Sequence, residues 1–200
     1  EEPKEAAKPD PASQGEKTEP KFGLAISGSS SVNLGSLNTK AYVADGIVEL
    51  TGGQQFLAIR AINNTQVLAA SGAAALARAK NPSSEFSVGI AGSMACNDLL
   101  NQTAAEMTNT KAAGAQEVAV QALAGGQQVA VALGLGVNAS ADQDTAASAA
   151  GSVSVNTVTN RVTSAVQASQ LTGQDGGADR HLNITAYDRT RVGTGGGSLI

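Results

Sequence analysis

Aromatic residues are nearly missing from this chain. Of 200 residues, 2% are aromatic, namely Phe22, Phe56, Phe86, Tyr42 and Tyr187, and there is no Trp. Enzyme pockets are usually lined by aromatic and bulky apolar groups, so this scarcity disfavours an ordinary globular enzyme. Charge is scarce too, at 15% of residues and a net of −4, with no basic cluster to suit a nucleic acid. The single cysteine, Cys96, excludes an intramolecular disulfide framework and a Cys-rich metal site. Its neighbours Met94 and Ala95 point to a buried, inert thiol. The single histidine, His181, excludes a His cluster, and nothing in the sequence positions partners for a His-led triad. The longest apolar stretch, 118–137, is broken by Gly125, Gly126, Gln127 and Gln128, so no transmembrane segment is expected. The opening residues are acidic and Pro-rich, so any secretory leader is expected to lie outside them.

What is present is small. Alanine supplies 37 residues and glycine 23. A core of such side chains suits repeated thin layers, each needing little volume. Residues 1–21 stand apart: they hold 10 of the 30 charges and four of the five prolines, with no Val, Ile, Leu or aromatic residue. Too little apolar area is available there to offset ordering entropy, so 1–21 reads as a disordered acidic, Pro-rich linker or tail. The rod proper begins at about Phe22 and runs through 200.

Self-similarity organises that rod. The pattern G-S-x-[SA]-x-N occurs at 28–33, 92–97 and 151–156, with Asn33, Asn97 and Asn156 spaced 64 and 59 apart. A second Asn follows at Asn101 and Asn160, and one position late at Asn38. Each copy then carries an alternating run, FLAIRA from Phe56, EVAVQA from Glu117 and HLNITA from His181, ending at Ala61, Ala122 and Ala186. A valine follows each run, at Val67, Val129 and Val192. The three repeats span approximately 22–85, 86–145 and 146–200.

The local period is two, as in V-A-V-Q-A from Val118 and S-V-S-V from Ser152, with Gly, Asn, Asp and Thr between runs. This reads as short strands and turns. The Ala-rich segment 112–124 aligns with strand landmarks and reads as strand; 69–80 is left as a short helix or loop, since alanine favours helix. The expected architecture is an all-β parallel β-solenoid. Each repeat of about 60 residues would make about three coils of about 20, with inward β-branched residues filling a narrow core. On that spacing Asn33, Asn97 and Asn156 would not touch, and each would satisfy its own turn.

The run GSVSVNTVTN at 151–160, then Val162 with Ala165 and Val166, then LNITAYD at 182–188 resembles the repeats of large bacterial filamentous haemagglutinin-like adhesins. These include the haemagglutinin and leukotoxin-type exoproteins exported by type V routes. The third copy matches best. The resemblance implies a right-handed parallel β-helix, secretion to the Gram-negative cell surface with an outer-membrane secretion partner, end-to-end stacking of adjacent repeats, and adhesion to a host or neighbouring-cell surface, protein or glycan. It brings no catalytic residues, no cofactor and no metal.

The residues themselves agree with a non-enzymatic reading. The acidic loops at Asp142 and Asp144, and at Asp175 and Asp179, lack a calcium ligand series and read as solvated turns. The glycines at 193–197 lack the Lys-Ser/Thr of a phosphate loop. Arg189 and Arg191 share one strand face and read as solvated, with an anionic ligand as the lesser alternative. The first expectation is therefore a structural and adhesive segment presenting loops at 71–87 and 138–150. A β-helix polysaccharide lyase or hydrolase is the alternative, disfavoured because its acids are dispersed. Ice binding would need a repeated Thr array. Thr157 and Thr159 would begin such an array, but the other copies offer Asp98 and Leu100, or Leu34 and Ser36, at those positions.

Overall fold

A computed structural model describes residues 22–51, 55–77, 86–138, 146–173 and 180–200. The tail 1–21, the middles of the two expected loops at 78–85 and 139–145 with Asp142 and Asp144, and the acidic turn with Asp175 and Asp179 lie outside the described residues. Strand dominates, and no helix occurs among the described residues. The chain is a parallel β-helix. Its first coil is β1 (Phe22–Ala44), β2 (Ile47–Glu49) and β3 (Phe56–Ala77). The second is β4 (Phe86–Thr108), β5 (Lys111–Ala113) and β6 (Glu117–Asn138), and the third β7 (Ala146–Gln167), β8 (Gln170–Thr172) and β9 (His181–Leu199). Three sheets result, β1-β4-β7, β2-β5-β8 and β3-β6-β9, all with parallel pairing.

The register corrects the expected coil size. Asn33 pairs with Asn97 and Asn97 with Asn156, so one repeat makes one coil. Three coils of about 20 residues per repeat give way to one wide coil of three strands. The landmarks Phe56, Glu117 and His181 stack, as do Ala61, Ala122 and Ala186. The valines do so only in part: Val67 and Val192 flank Gln128, while Val129 pairs with Leu68 and Gly193. Segment 69–77 is strand rather than helix or loop, because its alanines sit against the facing sheet.

The long strands hold 19 to 23 residues, which spans up to about 75 Å. Each coil turns at an equivalent corner, where Asp45, Asn109 and Ala168 adopt left-handed φ of 52°, 45° and 48°. Asp and Asn tolerate that conformation better than most residues, and Asn109 Nδ2 donates to Asp45 Oδ1 of the neighbouring coil at 2.7 Å. Beyond the corner the short strand turns the chain back, so the first and third sheets lie face to face. Bonds across the gap show the facing: Ser164 Oγ donates to the Val120 carbonyl, and Ser93 Oγ to that of Leu133.

The cross-section has two parts. Next to the short sheet it is wide, filled by Ile59, Met107, Val118 and Val120 with Val43, Leu57, Val162 and Leu171 around them. Toward the free ends of the long sheets it narrows, and only Ala69, Ala95, Ala130 and Ala132, then Ala73, Ala75 and Ala91, lie inside. The sheets there nearly touch: a Cβ on Gly134 would stand 2.7 Å from the Gly151 carbonyl oxygen. Large residues therefore point out. Val153 and Val155 face solvent while Ser152 and Ser154 face in, the reverse of a valine-filled core. Cys96 also faces outward, half-buried between Val32 and Val155, so the expected buried thiol is corrected.

Candidate functional site

The junction of the wide and narrow parts carries an internal amide ladder. Asn33 Nδ2 donates to Asn97 Oδ1 at 2.9 Å, and Asn97 Nδ2 donates to Asn156 Oδ1 at 2.7 Å. Each amide also donates across the core, to the carbonyls of Leu68, Val129 and Gly193 respectively. The expectation that these three residues do not touch is overturned, since one-coil repeats put them one strand apart. A second ladder joins Asn101 Nδ2 to Asn160 Oδ1 at 2.9 Å. It stops there because coil one offers Leu37 at that register, with Asn38 displaced to Gln102. Asn101 Oδ1 is consequently buried without a hydrogen-bond partner. These ladders are structural: they tie coils together and tie the two sheets to each other.

The outer face of the third sheet carries an open groove of about 950 Å³. It lies where Gly126 takes a left-handed φ of 130°, a conformation reserved for glycine, and bends β6 close to the Thr65 backbone. Stacking brings three outward rows to it: Ile62, Leu123 and Tyr187; Asn64, Gly125 and Arg189; Gln66, Gln127 and Arg191. Arg189 lies over the Tyr187 ring, 4.9 Å from its centroid, and its Nε donates to the Tyr187 hydroxyl at 2.9 Å. That bond, with charge interaction with Tyr187, raises the guanidinium pKa above its ordinary value. Asp188 also lines the groove, and its carboxylate accepts hydrogen bonds from Asn160 and Thr190. Partial burial acts to raise its pKa, but hydrogen bonds from Thr190 and Asn160 outweigh this and hold the carboxyl below its usual range. Asp188 is thereby engaged away from the two arginines.

Arg189 and Arg191 thus share a face, as their spacing indicated, but the face is a groove with a π-surface and amides. Sequence reading missed Tyr187, Gln66 and Gln127. The last two sit 125 and 64 positions from Arg191 and meet it only through coil register. His181 opens β9 on the exposed surface. No cluster of three potential metal ligands occurs among the described residues. The loop candidates resolve in part: 71–77 and 86–87 are strand, as are 138 and 146–150. Searches against family models, curated proteins and solved structures returned no match to this chain.

Proposed function

We propose that this chain is a structural and adhesive β-helical segment of a secreted bacterial surface protein of the haemagglutinin-like adhesin kind. Rigid coils extend the rod, and its outer faces and loops meet a host or neighbouring-cell surface. The observation that supports this most is the groove on the third sheet. A ring for sugar stacking, two forked cations and a row of amides suit an acidic glycan, with carboxylate or sulfate on the arginines and hydroxyls on Gln66 and Gln127.

The test is binding of the 200-residue chain to immobilised acidic and neutral glycans of matched length. Binding is expected for the acidic set, falling at least tenfold in the double variant Arg189→Ala, Arg191→Ala. Equal binding by that variant rejects the groove as the contact. Glycan cleavage during the assay would replace adhesion with the lyase or hydrolase reading.

A further inference from the structure

The two ends of the rod are unlike its middle. In coil two, Val118 and Val120 are core residues, exposed by 3% and 0%. Their stacking partners in coil three, Leu182 and Ile184, occupy the same inward columns yet are exposed by 47% and 46%. Val192 is likewise uncovered beneath Gln128. The amide ladder is open at both ends as well. Asn156 Nδ2 spends one hydrogen on the Gly193 carbonyl, and Asn33 Oδ1 accepts no bond among the described residues. The free groups are complementary, a donor on coil three and an acceptor on coil one. Among the described residues no further strand pairs with the outer edges of β1, β3, β7 and β9, which run for 19 to 23 residues.

We propose that the coil-three edge is covered by the coil-one edge of a second copy of this chain, in the register that sets Asn156 over Asn33. The columns of the fold make the fit specific. Extended by one coil, that register lays Leu182 on Leu57, Ile184 on Ile59 and Val192 on Val67, apolar on apolar. Charges do not collide. Arg161, Arg189 and Arg191 fall on Asn38, Asn64 and Gln66, while Lys40, Asp45 and Arg60 fall beneath Thr163, Ala168 and Thr185. The contact repeats the coil-to-coil interface already inside the molecule. Because two different edges meet, it does not close, and copies add head to tail into a filament. This rests on the edges alone and stands whether or not the groove binds a glycan.

The test uses the whole chain with Cys96→Ser, carrying Ser36→Cys, Thr159→Cys or both. In one molecule these positions are two strand spacings apart, about 9.6 Å, too far for a disulfide. At a head-to-tail junction they are neighbours. Mild oxidation is expected to give a ladder of covalent oligomers with the double variant and none with either single variant. Sedimentation of the unmodified chain is expected to show concentration-dependent growth, weakened at least tenfold by Ile184→Lys, a side chain already half exposed. Dimers from the single variants would overturn the register by showing like edges pairing. Monomers throughout, with no ladder from the folded double variant, would overturn self-association.

Discussion

The wide and narrow halves of the cross-section use the same strands with opposite logic. In the wide half, beside β2, β5 and β8, the large side chains point in: Val118 and Val120 are core, and Gln121 is outside. A few residues further along the same strand, Ala130 and Ala132 are core, while Val131 and Leu133 point out. The short second sheet, β2-β5-β8, makes the difference. It props the long sheets apart at one end, and nothing props them at the other, so they close until only alanine, serine or glycine fits. The apolar residues that this expels, among them Leu24, Ile26 and Val153, leave broad outer faces at the narrow end. Burial and stability thus follow sheet separation rather than side-chain hydrophobicity.

That contrast is open to breaking by exchange of sizes. Met107→Ala in the wide half should cost about 2–5 kcal/mol, from lost burial plus a cavity, measured by denaturant unfolding. The reverse change in the narrow half, Ala95→Leu, should cost about 1–3 kcal/mol through overpacking. A neutral Ala95→Leu would mean that the sheets separate freely there and the contrast is not real.

The boundary between the halves is polar, and two of its polar groups are mismatched. Gln128 is buried with neither side-chain atom bonded, between Val67 and Val192. Gln128→Val should stabilise by about 1–2 kcal/mol, because it removes the unmet desolvation cost. Leu37→Asn should complete the second ladder by donating to Asn101 Oδ1, raising stability by about 1 kcal/mol. A destabilised Leu37→Asn would show that the ladder register differs from the one described.

The smallest effect concerns Asp188, on the wide side of that boundary. Its pKa is lowered in the fold, so its hydrogen bonds stabilise above the unfolded pKa and are lost as pH falls through the folded value. Thermal melts across the acid range should therefore show a decline that Asp188→Asn reduces. An unchanged acid limb would remove Asp188 from the account.

The amino-acid sequence by itself determined the repeat, the start of each repeat near residues 22, 86 and 146, and the predominance of strand. Period-two alternation and recurring Gly-Ser and Asn landmarks are local signals and survive without a partner. The shared face of Arg189 and Arg191 was legible for the same reason. Three things only the tertiary structure decided. Coil length was one, because a strand of 22 residues and several short strands with turns write a similar pattern. Which face of the alternation is core was another. Period two separates two faces without saying which is inside, and the distance to the opposite sheet settles it. The last was the assembly of Tyr187, Gln66 and Gln127 with the arginines. Small residues are required in the narrow half, and the closeness of the two sheets is the physical reason.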